Sequence, residues 1–106
     1  MINYSLESHP EARIDVIDAY DWYAERSQIA ADAFRSELER AGEVIRRSPL
    51  MWGSYLYGTR RYLLKRFPYI IVYRVADDRI EIIAVIHGRR RPGFWKHRLK
   101  SAPPLH

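Results

Sequence analysis

A small α+β domain is the fold class that the sequence predicts, on three observations. The chain has 106 residues, enough for one domain but not for two, since domains usually run to about 100–150 residues. In its first half, two segments repeat apolar residues every three or four positions, as amphipathic helices do. In its second half, two segments rich in Ile and Val are separated by a short turn, as in a β-hairpin. We expect one domain over residues 1–100 and a mobile tail over residues 101–106.

The opening of the chain is predicted to form a short strand and then a helix. Residues 2–7 alternate weakly between apolar and polar side chains, which is typical of a strand. Ser8 and Glu11 have the spacing of a capping box, in which the serine oxygen accepts from the amide of Glu11, so a helix is expected to begin there. Its apolar stripe continues to Tyr23, and the helix is expected to end near Arg26.

A second helix is predicted by the apolar stripe between Ala30 and Ile45. Ser48-Pro49 is expected to end it, because the residue before a proline avoids helical angles. The short segment between the two stripes predicts that the helices are antiparallel neighbours. Both stripes are expected to pack into the core rather than to line a cofactor pocket.

The second half of the chain is predicted to form a sheet. Residues 50–58 contain glycines and irregularly spaced aromatic residues and are expected to form a loop, and residues 59–66 form a strand. Residues 69–75 and 79–87 are stronger strands, and the Asp-Asp turn between them predicts a tight hairpin, since Asp tolerates left-handed angles. The aromatic pair Phe94-Trp95 is expected to dock a final short helix or turn.

The predicted hairpin sorts its side chains between two faces. A two-residue turn would place Arg74 opposite Glu81 and Val72 opposite Ile83. The other face of the sheet, with Arg74, Glu81 and His87, is half polar and is expected to be half open to solvent. The apolar face is expected to lie beneath the helices, and it comprises Ile71, Tyr73, Val75, Ile80, Ile82, Ala84 and Ile86.

The charge of the chain is divided between its halves. Residues 1–50 carry six Arg against ten Asp and Glu, and residues 51–106 carry twelve Lys and Arg against three, so the net charge of +5 is the sum of −4 and +9. A basic half attracts polyanions such as nucleic acid or an acidic protein segment. For the row Arg89-Arg90-Arg91, a solvated basic turn is the alternative.

The composition excludes several kinds of protein and site. No apolar run approaches the roughly 20 residues that span a bilayer, and the N-terminus lacks the features of a signal peptide, so we expect a cytoplasmic protein with no membrane partner. There is no cysteine, and His9, His87, His97 and His106 do not have the spacing of a metal site, so no metal is expected. No glycine-rich phosphate loop is present, and no cofactor is expected.

Two long motifs closely resemble those of the RelE/ParE superfamily of toxins from bacterial type II toxin–antitoxin modules. They are the segment Thr59–Val75 and, after the Asp-Asp turn, the segment Ala84–Trp95. The pair Trp22-Tyr23 and the helix that ends at Ser48-Pro49 are also similar to that family, so the resemblance covers about residues 2–98. It implies a RelE/ParE-like fold with a short N-terminal strand, a two-helix antiparallel hairpin, an antiparallel sheet of about four strands and a short C-terminal helix.

The resemblance also implies partners and a function. They are those of a growth-inhibiting toxin, of the kind associated with plasmid stabilization, which an acidic and partly disordered cognate antitoxin neutralises in a complex. Operator DNA would be bound only through the antitoxin. RelE-type members cut messenger RNA on the ribosome, whereas ParE-type members inhibit DNA gyrase without chemistry of their own. A third possibility from another class is a basic nucleic-acid-binding module without toxicity, whose affinity would fall steeply with salt.

Candidate site residues follow from the chemistry of these alternatives. If the chain is a nuclease, His87 would transfer the proton, and Arg89, Arg61 and Lys65 would stabilise the developing charge. The alternative, which the sequence slightly favours, is that His87 is a strand-end residue that is hydrogen-bonded to the backbone. Residues expected to bind the target or the antitoxin are Arg60, Arg66, Arg74, Arg90, Arg91 and Trp95.

One departure from the nuclease pattern favours inhibition of gyrase over RNA cleavage. RelE-type nucleases carry a C-terminal tyrosine whose hydroxyl assists the chemistry. Here Phe94 and Trp95 occupy that region, and neither side chain transfers protons under ordinary conditions. Tyr62 or Tyr73 could still lie near a nuclease site.

Overall fold

The computed structural model describes residues 2–101, and residues 102–106 of the expected tail lie outside the described residues. The order of elements that the sequence predicts is confirmed. The elements are β1 (Ser5–Ser8), α1 (Pro10–Ala24), α2 (Gln28–Arg47), a short 3-10 turn (Leu56–Gly58), β2 (Arg60–Leu63), β3 (Tyr69–Ala76), β4 (Arg79–His87) and α3 (Lys96–Ser101). None of the helices within residues 2–101 is long and apolar enough to cross a bilayer.

The four strands form one mixed sheet in the order β1-β4-β3-β2. β2, β3 and β4 are antiparallel, as expected, but β1 runs parallel to β4. No tight turn constrains the direction of β1, because both helices and two strands separate it from β4 along the chain. Alternation within one short strand is the same in either direction, so the sequence pattern could not distinguish the two arrangements.

The start of α1 lies where the capping box predicts it, but a different residue caps the helix. His9 is the N-cap, and its Nδ1 accepts a hydrogen bond from the amide of Glu11 at 3.1 Å. Ser8 is still part of β1, where it pairs with Ile82, so the capping position falls one residue later than expected.

A β-bulge changes the register of the hairpin between β3 and β4. Arg74 lies opposite Glu81, as predicted, but Val72 lies opposite Ala84 rather than Ile83. The bulge adds Ile83 to β4 as an extra residue, which reverses the alternation of the residues that follow. The prediction is therefore wrong for Ala84 and Ile86, which lie on the face opposite the helices.

Both faces of the sheet are covered by apolar residues. The helices bury one face, where Phe34 and Ile45 of α2 pack against Ile71 and Tyr73. The expectation that the other face is half open is wrong, because the chain after β4 folds back over it. That second core comprises Ile70, Val72, Ile83, Ala84, Ile86 and Trp95, with Tyr55, Phe94 and Leu99 packed against it.

Where β1 ends, side chains make the hydrogen bonds of the backbone groups on the outer edge of β4. β1 pairs with β4 only as far as Ile82. Beyond it, the Asp15 carboxylate accepts from the amide of Val85 at 3.0 Å, and the Arg98 guanidinium donates to the carbonyl of Ile83 at 3.0 Å. Asp15 and Arg98 also form an ion pair at 2.6 Å. This pair joins α1, β4 and α3, and it replaces the backbone bonds that a neighbouring strand would make.

Candidate functional site

His87 lies at the end of β4, beside the start of β3. Its Nδ1 accepts a hydrogen bond from the amide of Arg89 at 3.1 Å, and its ring contacts the ring of Tyr69 with centroids 5.4 Å apart. With Arg89 it lines a shallow cavity of about 210 Å³, whose other walls include Leu63, Phe67 and other mainly apolar residues. This geometry corresponds to the strand-end residue bonded to the backbone that the sequence left as an alternative.

Arg61 and Lys65 line a different cavity. It has a volume of about 390 Å³, lies beside β2 and shares only Leu63 with the cavity of His87. The structure thus brings His87 next to Arg89 and Arg61 near Lys65, but it does not place all four side chains in one cavity. Acid–base catalysis needs its groups within about 2.6–3.2 Å of the reacting atoms, or one water away.

The two candidate tyrosines have different surroundings. Tyr62 is buried edge-on against Trp52, with ring centroids 4.8 Å apart, and it lines the same cavity as Arg61 and Lys65. The Tyr73 hydroxyl is buried and donates to the carbonyl of Pro49 at 2.6 Å. Burial raises the pKa of Tyr73 to about 12, against a smaller opposing effect of Arg60. This hydroxyl therefore serves as a structural donor at neutral pH.

Three of the arginines expected to bind a partner are held by contacts within the chain. Arg60 donates through Nη1 to the carbonyls of Leu50 and Trp52, at 3.2 and 2.6 Å, and so holds the loop before β2. Arg74 pairs with buried Glu81 at 2.9 Å. The third of these arginines, Arg66, pairs with Glu37 and still has 60% of its side chain exposed.

The remaining expected contact residues differ in accessibility. Arg89, Arg90 and Arg91 are all exposed. Trp95 has no exposed surface, so its side chain supports the surface from beneath and presents nothing to a partner. The sequence places this residue among the contact residues because a tryptophan beside arginines suits both packing and recognition, and only the fold distinguishes the two.

Glu37 of α2 is a positioning residue that the sequence analysis missed. Its side chain is buried and accepts from the amides of Lys65 and Arg66, at 2.5 and 3.2 Å, and from Nε of Arg66 at 3.2 Å. Burial raises the pKa of Glu37, but these hydrogen bonds and the charge of Arg66 outweigh it and leave the pKa below its ordinary value. Its position three residues after Phe34 places it beside the apolar stripe, which is the one signal the sequence offers.

Glu37→Gln is expected to destabilise the protein by about 1–3 kcal/mol near neutral pH, because a neutral amide accepts more weakly and repels one of the three donors. The pKa of Glu37 is lowered in the folded state. Its contribution is therefore present above the unfolded value of about 4.3 and is lost as the pH falls through the folded pKa. The destabilisation should shrink between about pH 6 and pH 3, as measured by denaturant unfolding.

The matched control for this experiment is Glu39→Gln on the same helix. Glu39 pairs with Arg35 at 3.3 Å, and both side chains are exposed. It is expected to change the free energy of unfolding by less than about 1 kcal/mol at either pH. A Glu37→Gln effect that is equal at both pH values would contradict the assigned role.

Comparisons with known proteins agree on one family. A family model described as the ParE toxin of the type II toxin–antitoxin system parDE matches residues 6–92. The chain is 26% identical over 88 residues to Toxin ParE2 of Mycobacterium tuberculosis, covering 82% of this chain and 84% of that protein. The family match ends just before the turn that leads to Trp95 and α3.

Two solved structures share the fold. One is the chromosomal ParDE toxin–antitoxin system from P. aeruginosa, with a TM-score of 0.72 and 19% identity, covering 82% of this chain and 98% of that chain. The other is the toxin–antitoxin complex RelBE2 from Mycobacterium tuberculosis, with a TM-score of 0.54 and 24% identity, covering 82% of this chain and 93% of that chain.

Proposed function

The chain belongs to the ParE toxin family of type II toxin–antitoxin systems, and from this premise we propose that it arrests bacterial growth by binding and inhibiting DNA gyrase. The observation that carries the proposal is the match of the ParE toxin model over residues 6–92. A cytoplasmic site of action follows, because gyrase acts on chromosomal DNA. The toxin requires no cofactor for inhibition by binding.

The arrangement of the candidate residues supports inhibition by binding over RNA cleavage. His87 and Arg89 line one cavity, whereas Arg61 and Lys65 line another, so only one of the three candidate cations shares a cavity with the proton-transfer group. The walls of both cavities are mainly apolar. A ribonuclease needs these groups around one phosphate to take the proton from the 2′-hydroxyl and to stabilise the developing charge.

A cognate antitoxin is the proposed natural partner. Both solved relatives are toxin–antitoxin systems or complexes. The charge of residues 51–106, twelve Lys and Arg against three Asp and Glu, suits an acidic segment that folds on binding. Sequence-specific contact with operator DNA would then be made through the antitoxin.

Induction of the chain in a bacterial host without its antitoxin tests the proposal. We expect growth arrest with DNA breaks held by gyrase, and recovery when the antitoxin from the neighbouring gene is co-expressed. New RNA 5′ ends are mapped in the same cells within minutes of induction. His87→Ala should leave the arrest intact if inhibition is by binding.

Two results would contradict gyrase inhibition. Cuts at a fixed position within translated codons, lost in His87→Ala and in Arg89→Ala, would make the chain a ribosome-dependent nuclease. Unaffected growth, with western blotting to confirm that the protein accumulates, would favour a non-toxic nucleic-acid-binding module.

A further inference from the structure

We propose that a cationic aromatic surface on the sheet face opposite the helices binds the phosphate backbone of double-stranded DNA without sequence preference. This surface consists of Arg61, Arg90 and Lys96 with Tyr55, Tyr57 and Phe94. The activity goes beyond gyrase inhibition, and it does not depend on which protein the toxin targets.

Each of the three cations lies over an aromatic ring. The guanidinium carbon of Arg61 is 4.6 Å from the ring centroid of Tyr55, and that of Arg90 is 4.1 Å from the centroid of Phe94. The ammonium of Lys96 is 4.8 Å from the centroid of Tyr57. All three cationic residues are exposed. Stacking restricts these long side chains before binding, so less conformational entropy is lost when they meet a phosphate.

Trp95 holds the rings together from beneath. The rings of Tyr55 and Tyr57 each lie 6.0 Å from the Trp95 ring, measured between centroids, and Trp95 is fully buried. Arg61 and Arg90 are exposed, and a guanidinium edge carries paired N–H donors that match phosphate oxygens. The surface therefore presents exposed donors above a buried aromatic base.

The backbone around Tyr57 is adapted to place its ring at this surface. Tyr57 has a φ of 59°, a left-handed conformation that a bulky residue rarely adopts. Gly93 has a φ of 81°, and a Cβ at this position would lie only 3.1 Å from the ring of Tyr57. The backbone is strained at Tyr57, and Gly93 has no side chain that would collide with the Tyr57 ring. Both features allow this ring to lie against Trp95 and beneath Lys96.

The acidic residues of the second half of the chain lie away from this surface, whereas Glu11 and Asp15 of α1 pair with Arg98 of α3, at its border. Within residues 51–101, Asp77 and Asp78 form the hairpin turn at the far end of β4 from the arginine row, and Glu81 is buried against Arg74. A strand of nine residues separates the two ends by roughly 30 Å. The excess of exposed positive charge on the surface itself favours a polyanion.

The geometry favours duplex DNA over other polyanions. An acidic segment that folds on binding needs apolar anchor pockets, and the three rings line neither cavity described above, although Arg61 borders the one beside β2. Single-stranded nucleic acid binds by stacking its bases on free rings, but these rings already carry cations on one side. A duplex keeps its bases stacked inside and presents its phosphates along the outside, where exposed cations can bind them without reading the base edges.

Fluorescence anisotropy with a labelled duplex DNA of arbitrary sequence tests the proposal on the full-length protein. We expect the triple variant R61A/R90A/K96A to reduce the slope of log affinity against log salt concentration by about 2–3, since each neutralised phosphate contributes about 0.9. The control variant R13A/R40A/R47A removes the same charge from exposed positions on α1 and α2. It should retain the slope of the unmodified protein.

Several results would overturn the proposal. If the control variant R13A/R40A/R47A reduced the salt dependence of the affinity as much as the triple variant does, DNA binding would depend on net charge rather than on this surface. Stronger competition by polyglutamate than by unlabelled duplex DNA would assign the surface to an acidic protein segment, and tighter binding of single-stranded RNA or of duplex RNA would assign it to RNA. Growth arrest is measured with the same triple variant. A variant that loses DNA binding but still arrests growth would show that the two activities are separate.

Discussion

Trp95→Ala is expected to lower the free energy of unfolding by about 3–5 kcal/mol, which is the usual cost of removing a large aromatic side chain from a core. Trp95 is fully buried and contacts the second core around Val72, Ile83 and Ile86. Residues around a deleted core side chain relax only partially into the space, so a cavity is expected to remain. Denaturant unfolding followed by circular dichroism measures the loss.

Phe94→Ala is the matched control for the loss at Trp95. Phe94 precedes Trp95 in the same turn but is only partly buried. Its truncation should cost less than half as much. If both variants lost the same stability, the second core would not depend on Trp95 as its centre.

Arg98→Ala is expected to destabilise the protein by about 3–5 kcal/mol, because it leaves the Asp15 carboxylate partly buried without its cation. Arg98 is 5% exposed and donates to Asp15 at 2.6 and 3.1 Å as well as to the carbonyl of Ile83. Its loss also removes a donor from the edge of β4 and the ion pair that joins α3 to α1. Hydrogen exchange should show faster exchange at Val85 than in the unmodified protein.

Two further variants separate the ion pair from simple packing at Arg98. Arg98→Met keeps much of the apolar stem, and with Asp15→Leu it removes both charges together, so this double variant should be more stable than Arg98→Ala. Arg35→Ala breaks an exposed pair with Glu39 and should cost less than about 1 kcal/mol. An Arg98→Ala cost as small as that of Arg35→Ala would show that the edge of β4 is satisfied without the pair.

Local patterns predicted the elements well because each depends on near neighbours in the chain. The apolar stripes determined α1 and α2, and the Asp77-Asp78 turn determined the hairpin and its first pairs. Such local patterns could not predict the β-bulge beside Tyr73. Two aliphatic strands satisfy either register equally until packing on both faces selects one.

The candidate site was predicted less completely than the fold. Residue type identified the exposed arginines 89–91, but Arg60, Arg66 and Arg74 have partners within the chain that sequence spacing does not reveal. Glu37 and Asp15 were missed for the same reason. The partner in the shortest hydrogen bond of Glu37 is 28 residues away in the chain, and that of Asp15 is 83 residues away. These segments meet only after folding.

The sequence by itself determined the α+β class, the order of elements, the division of charge and the resemblance to a toxin family. Each of these properties depends on composition or on sequence patterns within one element or one motif. The tertiary structure decided which arginines remain available to bind a partner and that Trp95 is buried. It also decided that three cations lie over aromatic rings on the sheet face opposite α1 and α2. Those outcomes depend on which surfaces meet in space, because a side chain's accessibility and partners are set by contacts between segments distant in the chain.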